Sequence, residues 1–172
     1  MPKFDTMIST EKVAARVREL GAKISKDYAG KQIVIVGVLK GSFIFLADLV
    51  RSIEPTVSID FLGVSSYVGT ESTGVVKITQ DLSKPIAGKH VLIVEDIVDT
   101  GLTLQYLVEN LKTRNPASLK VACLLDKPSR AKVRVPVEYV GFTIDDEFVV
   151  GYGLDYEGLY RNLPYIAIYR GE

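Results

Sequence analysis

The sequence predicts an α/β fold in a single domain, with a mostly parallel central sheet flanked by helices. Two patterns carry this prediction. Uniformly apolar runs are typical of strands buried on both faces, and the stretches between them carry apolar residues at the three- and four-residue steps of amphipathic helices. The 172 residues contain no internal repeat and no Pro/Gly/Ser-rich linker, so one domain is expected to span residues 1–172.

The N-terminal part of the chain alternates helix and strand. Ser9 or Thr10 can cap a first helix, which Gly30 closes. The apolar residues of this helix recur on one face, at Val13, Val17, Leu20 and Ile24. A buried strand over residues 32–39 and a second, apolar helix over residues 43–51 follow.

The rest of the chain supplies the remaining strands. Residues 57–65 and 75–79 are predicted to form an appended hairpin, joined by a polar, Gly-bearing connection. A strong strand over residues 91–95 precedes a helix over residues 103–113. Residues 119–125, 137–140 and 165–169 complete the strands. This order favours a parallel sheet covered on both faces.

The charge balance limits the class of partner. Lys and Arg number 21, Asp and Glu also number 21, and the formal net charge is zero. Such a chain has no overall positive field for nucleic acid or for an anionic membrane surface. No apolar stretch is long enough to span a bilayer, and the single Cys123 suits a reducing compartment. We therefore expect a soluble, cytoplasmic protein that binds neither nucleic acid nor membrane.

Polar residues follow three of the predicted strands. Lys40, Gly41 and Ser42 follow the strand over residues 32–39. Glu95 and Asp96 follow the apolar residues 91–94, and Asp126 with Lys127 follows the strand over residues 119–125. In open α/β sheets, ligands bind outside the carboxyl ends of the strands. We therefore expect these groups to converge on one crevice.

The most informative segment is 91–104, VLIVEDIVDTGLTL. Gly101 allows close backbone approach, and the free N–H groups of the following helix, with the Thr100 and Thr103 hydroxyls, can cradle a phosphate. Glu95 and Asp96 would repel that phosphate unless they face sugar hydroxyls or Mg²⁺. A phosphorylated ribose satisfies the whole segment. The competing interpretation, an ordinary turn with Asp99 or Thr100 as helix cap, leaves the two carboxylates unexplained.

Segment 91–104 resembles the phosphoribosyl-diphosphate-binding signature of the type I phosphoribosyltransferases. The wider chain is similar to the bacterial members that act on hypoxanthine and guanine. The resemblance covers nearly the whole sequence, and its other motifs are LKGS at 39–42, Ser66-Tyr67, Lys127, FVVGY at 148–152, LDY at 154–156 and Arg161. It implies the family's fold, with a small hood built from the N-terminal segment and about 147–165, and a flexible hairpin lid over about 65–74.

The resemblance also implies a reaction and its residues. A 6-oxopurine and phosphoribosyl diphosphate would give a nucleoside monophosphate and pyrophosphate, with Asp99, Lys127 and Arg161 acting in the reaction. Asp99 is the implied general base, Lys127 meets the purine 6-oxygen, and Arg161 helps to bind pyrophosphate. Mg²⁺ is the implied cofactor, with ligands at Glu95, Asp96 and Asp155. Substrate contacts are implied at Lys40, Gly41, Ser66, Tyr67, Glu95, Asp96, Ile97, Val98, Thr100, Gly101, Leu102, Thr103, Phe148, Val149 and Asp155.

Bland alternatives accompany several of these residues. Lys127 reads equally as a loop lysine, Phe148 as a core aromatic, and Arg161 as a solvated surface residue. For the whole protein, a phosphoribosyl-diphosphate-binding regulator on the same fold and a receiver-type phosphoacceptor domain are the competing classes. An enzyme that prefers xanthine or guanine is a further alternative. The resemblance implies a homodimer or a homotetramer, without deciding between them.

Overall fold

A computed structural model describes residues 2–54, 56–67 and 75–171 of the chain. Its elements confirm the α/β prediction. In chain order they are β1 (Phe4–Ile8), α1 (Thr10–Asp27), β2 (Ile33–Leu39), α2 (Phe43–Arg51), β3 (Val57–Tyr67), β4 (Val75–Gln80), β5 (His90–Val98), α3 (Leu102–Lys112), β6 (Ser118–Asp126), a 3-10 turn (Pro128–Arg130), β7 (Tyr139–Thr143), β8 (Val149–Val150) and β9 (Ile166–Tyr169).

The central sheet has six strands in the order β4-β3-β2-β5-β6-β7. All neighbours are parallel except β3 and β4, which form the antiparallel hairpin that the sequence predicts. The apolar strands are buried because helices cover the sheet: α1 and α2 pack on one face and α3 on the other. The carboxyl ends of β2, β5 and β6 consequently meet along one edge.

Helix α1 begins where the sequence predicts. The Ser9 hydroxyl accepts a hydrogen bond from the Lys12 backbone N–H at 3.3 Å, which satisfies one of the free donors of the first turn. Its four predicted apolar residues are all buried. Arg16 then donates to the Val140 and Gly141 carbonyls, at 2.7 and 2.8 Å, and so fixes the helix to β7.

A second, three-stranded antiparallel sheet has the order β1-β9-β8. Residues 165–169 are predicted from the sequence as a strand of the main sheet, and this assignment is wrong because β9 lies in the small sheet. After β7 no crossover helix returns the chain to that sheet, so β9 pairs with β1 and β8 instead. Strand β1 was not predicted, because five residues at a terminus carry too little pattern. None of the helices in the described ranges is both long and apolar enough to cross a membrane.

One boundary matters for the site. Strand β5 continues to Val98, whereas the sequence predicts an end at residue 95. The ladder to β6 extends through Val98, which pairs with Asp126. Glu95 and Asp96 therefore lie within the strand and not beyond it, because the backbone pairing of β5 continues after its apolar run ends.

Candidate active site

Three segments meet closely at the carboxyl edge of the sheet. A Cβ added to Gly41 would overlap the Asp96 carboxylate, and one added to Gly153 would overlap the Gly41 carbonyl. The Leu39–Lys40 peptide bond just before this contact is cis. Glycine is required at both positions because the turn after β2, strand β5 and the segment after β8 leave no room for a side chain.

The two carboxylates of β5, Glu95 and Asp96, are less accessible to solvent than charged groups usually are. Glu95 is only 6% exposed. Burial raises its pKa well above the ordinary value, and the neighbouring Asp96 charge raises it further. Burial also raises the pKa of Asp96, opposed by the Ile97 N–H that donates to its carboxylate at 2.7 Å and by the nearby Arg161. Full ionisation of both groups is disfavoured unless a ligand compensates.

The turn between β5 and α3 is the segment that the sequence predicts to cradle a phosphate. Gly101 has φ 83°, and the Val133 carbonyl lies where its Cβ would be, so both its conformation and its surroundings require glycine. The first helical hydrogen bond runs from the Gln105 N–H to the Gly101 carbonyl at 2.9 Å. The preceding N–H groups, at Leu102 and Thr103, are those that a helix start offers to an anion. A cavity of about 80 Å³, lined by Thr100, Gly101 and Thr103 among others, lies there.

The capping interpretation of this turn is wrong for Asp99. Gly101 is the N-cap residue of α3, which begins at Leu102, and no side chain makes a capping hydrogen bond there. Thr100 Oγ1 accepts only a long bond, 3.4 Å, from the Leu102 N–H. The Asp99 side chain is 41% exposed, and its Oδ1 accepts a hydrogen bond from Arg130 Nε at 3.0 Å. Its carboxylate is therefore held by Arg130 and does not cap the helix.

Lys127 is not a solvated loop lysine. It is only 7% exposed, which is rare for a lysine. Its backbone N–H donates to the Val98 carbonyl at 2.9 Å, so it lies at the end of β5. Its Nζ is 3.9 Å from Asp146 Oδ1. A buried amine with only one distant carboxylate beside it among the described residues is suited to donating to a ligand oxygen.

Phe148 is likewise not a core aromatic. Its side chain is 52% exposed, which leaves an open ring surface. Tyr156 and Tyr169 contact it edge-on, with ring centroids at 5.8 and 6.2 Å. Val149 beside it is buried and pairs with Ile168 in the small sheet. The ring is therefore held by the small sheet and remains accessible to a planar ligand.

Arg161 is anchored in the site and not solvated. Its Nη1 donates to the Gly153 carbonyl at 2.6 Å, and its Nη2 lies 3.1 Å from Asp155 Oδ1. Together with Lys40 it lines a cavity of about 430 Å³ between β2 and the β3–β4 hairpin. Two cations from distant parts of the chain thus line one space, which suits an anionic group.

The three candidate metal ligands are not assembled into a cluster. Within the described ranges, no group of three or more His, Cys, Asp or Glu side chains is placed to hold a metal ion. Asp155 contacts Arg161 and accepts a hydrogen bond from the Gly158 N–H at 2.7 Å. The predicted lid is outside what is described: this holds for residues 68–74 and for the side chains of Ser66 and Tyr67.

Sequence reasoning missed two charged residues in this region, Arg130 and Asp146. Arg130 Nη1 lies 3.8 Å from Asp146 Oδ2, which joins Asp99 to Lys127 through alternating charges. The only sequence signal is position, since Arg130 follows Lys127 by three residues and Asp146 precedes Phe148 by two. Such spacing is too common to be selected without the fold.

Comparison with known proteins gives consistent results. A family model described as the phosphoribosyl transferase domain matches residues 5–157. The chain is 57% identical over 167 residues to a hypoxanthine phosphoribosyltransferase of Haemophilus influenzae, covering 95% of this chain and 93% of that protein. It is 52% identical over 169 residues to a hypoxanthine-guanine phosphoribosyltransferase of Staphylococcus aureus, covering 98% and 94% respectively.

Solved structures agree with these relatives. A crystal structure of a hypoxanthine-guanine phosphoribosyltransferase from Bacillus anthracis, with a HEPES molecule in its active site, superposes with a TM-score of 0.90. The two chains are 50% identical, and the match covers 96% of each. The similarity therefore extends over the sheet, the small sheet and the edge where the candidate site lies.

Proposed function

The chain belongs to the phosphoribosyl transferase family, and on that premise we propose that it is a purine-salvage enzyme. It transfers the 5-phosphoribosyl group of phosphoribosyl diphosphate to hypoxanthine and to guanine, giving the nucleoside monophosphate and pyrophosphate. The observation that carries this is the buried Lys127, whose backbone N–H donates to the carbonyl of Val98, the residue before Asp99, at the end of the strand that leads to the phosphate cradle. A protein that only sensed phosphoribosyl diphosphate would need neither side chain.

The sugar phosphate would bind along the end of β5 and the start of α3. Its 5-phosphate accepts hydrogen bonds from the N–H groups that begin α3 after Gly101, where the helix dipole also favours an anion. The ribose hydroxyls face Glu95 and Asp96. Hydroxyls that donate to the two carboxylates favour the ionised forms, which burial disfavours.

The purine would be recognised by a donor, a ring and a backbone edge. Lys127 Nζ donates to the 6-oxygen, which a 6-amino base replaces with a donor group. The exposed ring of Phe148 stacks on the base, and the Val149 backbone meets its edge. A site that buries an amine for this oxygen rejects adenine, because the amine would lose its acceptor.

Asp99 would act as the general base. As the glycosidic bond forms between purine N9 and the anomeric carbon, the bond from that carbon to the pyrophosphate oxygen breaks. The proton on purine N7 passes to the Asp99 carboxylate. A positioned base of this kind contributes about 10²- to 10⁴-fold to the rate.

Pyrophosphate would leave into the space lined by Lys40 and Arg161. Two cations there offset the charge that develops on the departing oxygen. Gly41 carries no side chain that would keep the phosphates away from its backbone N–H.

Mg²⁺ fits these residues as a cofactor that substrate oxygens help to bind. Carboxylates are the ligands that Mg²⁺ prefers, and it commonly uses only one or two of them with water and phosphate oxygens. Within the described residues Glu95, Asp96 and Asp155 do not form a three-ligand cluster, which matches that mode better than an all-protein cage. When bound, the ion supplies positive charge to the pyrophosphate.

We also propose a role for the small sheet, a location for the protein and a mode of assembly. The small sheet, with the segment over residues 147–165, serves as the hood over the purine. The protein is cytoplasmic and assembles as a homodimer or a homotetramer. Exposed Phe43 and Ile59, 44% and 46% accessible in the single chain, are consistent with burial between copies.

The test is direct product formation. Purified protein is incubated with hypoxanthine, phosphoribosyl diphosphate and Mg²⁺, and inosine monophosphate and pyrophosphate are measured. We expect the two products in equal amounts, loss of both with a chelator and their recovery when Mg²⁺ is restored. Absence of inosine monophosphate would overturn the proposal, and activity that survives complete chelation would overturn the metal assignment.

A further inference from the structure

The side chains of Arg130 and Asp146, which the proposed reaction does not use, link those of Asp99 and Lys127, which it does use. Arg130 Nε donates to Asp99 Oδ1 at 3.0 Å, and Arg130 Nη1 is 3.8 Å from Asp146 Oδ2. Asp146 Oδ1 is in turn 3.9 Å from Lys127 Nζ. The four side chains come from the end of β5, the 3-10 turn and the β7–β8 connection, and they alternate in charge.

Fold stability does not account for this chain of contacts. The Arg130, Asp99 and Asp146 side chains are 48%, 41% and 56% exposed. Ion pairs at such exposure contribute little to folding, because water and salt screen them and both side chains lose freedom. The turn itself is held by backbone hydrogen bonds, including one from the Arg130 N–H to the Lys127 carbonyl at 3.1 Å.

The contact has the geometry of an orienting group. Arg130 contacts Oδ1 of Asp99, and among the described residues none contacts Oδ2, which can therefore accept a proton. Over the part of the chain that the structure describes, Arg130 is the only side-chain partner of this carboxylate. A general base must be held within hydrogen-bond reach of the proton it removes, and a third group bonded to the base commonly fixes it.

The charges favour the same role. The Arg130 guanidinium stays protonated over the whole working pH range, so it can always donate to the Asp99 carboxylate. The Asp99 carboxylate in turn raises the pKa of Arg130 further above its usual range, so the guanidinium stays charged. In a 6-oxopurine, N7 and the 6-oxygen lie on the same edge, so the base and the Lys127 amine must act side by side.

We infer that Arg130 is a positioning residue that holds the Asp99 carboxylate with Oδ2 free and, through Asp146, keeps it in register with the Lys127 amine. This inference rests on the proposed function. Neither Arg130 nor Asp146 needs to touch substrate. Each acts through a neighbour that does.

A double-mutant cycle tests the inference. Arg130→Ala is measured alone and in an Asp99→Asn background, with steady-state kinetics for hypoxanthine and phosphoribosyl diphosphate. We expect the single change to lower kcat about ten- to hundredfold, as small misplacements of catalytic groups do, with KM for phosphoribosyl diphosphate unchanged. In the Asp99→Asn background it should cause no further loss, because the residue through which it acts is already disabled.

Two further variants sharpen the result. Arg130→Lys should recover part of kcat, since the ammonium can still meet Asp99, and Asp146→Asn should lower kcat in the same direction as Arg130→Ala. The matched control is Arg114→Ala, which breaks another arginine–aspartate pair, 2.8 Å from Arg114 Nη1 to Asp81 Oδ1, beyond the far end of α3. It should leave kcat unchanged.

The contrary outcomes are distinct. Unchanged kcat in Arg130→Ala, or the same fold loss in both backgrounds, would overturn the inference while the proposed function stands. Unchanged kcat in Asp146→Asn would overturn the link to Lys127. A wild-type protein that makes no inosine monophosphate would overturn the proposed function and the inference together.

Discussion

Arg161 Nη2 lies 3.1 Å from Asp155 Oδ1, so the candidate pyrophosphate-binding cation and a candidate magnesium ligand neutralise each other in the absence of substrate. The same guanidinium donates to the Gly153 carbonyl at 2.6 Å, which fixes it against the backbone that contacts Gly41. The arginine thus lines the space proposed for pyrophosphate, where it could contact pyrophosphate in place of the Asp155 carboxylate.

Replacing Arg161 should therefore weaken the binding of phosphoribosyl diphosphate more than the binding of the purine. We expect Arg161→Gln to raise KM for phosphoribosyl diphosphate about tenfold or more, because a hydrogen bond to a charged group contributes about 1.5–3 kcal/mol. Initial rates with each substrate varied in turn measure this. Arg51→Gln, an exposed arginine that pairs with Asp48 on α2, is the matched control and should change neither constant. Equal rises in both KM values would contradict the assignment.

The main sheet could be predicted from the sequence because its signals are local. Four consecutive apolar residues at 91–94 indicate a buried strand without reference to the rest of the chain. Ser9 in the same way indicates the start of the helix α1, which packs on the sheet. The small sheet could not, because β1 and β9 are short and pair across nearly the whole chain, as Phe4 does with Tyr169. Nothing near either strand indicates its partner.

Asp99→Asn should remove the base while keeping its contact with Arg130. The amide oxygen can still accept the Arg130 hydrogen bond, but the side chain cannot accept the N7 proton. We expect kcat to fall about 10²- to 10⁴-fold. The thermal midpoint should stay close to that of the wild type, because the lost charge pair is exposed. Wild-type kcat in this variant would remove the assignment of Asp99.

Residue types at strand ends could also be predicted, but not their states. The sequence places Lys127 after a strand, and only the fold buries it to 7% exposure. Conversely, Phe148 lies in an apolar run typical of a core strand, and the fold leaves its ring 52% exposed. Burial depends on what the rest of the chain packs against, which one segment cannot encode.

Lys127→Met should weaken the selection of 6-oxopurines. Methionine nearly conserves the buried volume but cannot donate to the 6-oxygen. We expect kcat/KM for hypoxanthine to fall about a hundredfold or more, with a much smaller change for adenine. The ratio of kcat/KM for hypoxanthine to that for adenine should therefore decrease. A panel of hypoxanthine, guanine, xanthine and adenine measures this and also ranks the three 6-oxo bases. Comparable wild-type kcat/KM for adenine and hypoxanthine would contradict the role of Lys127.

Glu95→Gln should make the ligand-free protein more stable at neutral and alkaline pH. Burial and the Asp96 charge raise the pKa of Glu95 well above its ordinary value of 4.5. Between 4.5 and the raised value, the folded protein keeps a proton that the unfolded chain releases, so the free energy of unfolding falls as pH rises. A neutral glutamine has no proton to lose and avoids that fall.

The measurement is urea unfolding of both proteins from pH 4.5 to pH 8, without metal or substrate. We expect the stability advantage of Glu95→Gln to be smallest at the acidic end and to grow as pH rises, while its KM for phosphoribosyl diphosphate increases because the ribose contact is weakened. Glu109→Gln, an exposed glutamate on α3, is the control and should show no such trend. A stability difference that does not vary with pH would mean that Glu95 is ionised at little cost in the folded protein. The two carboxylates would then need no ligand to compensate their burial.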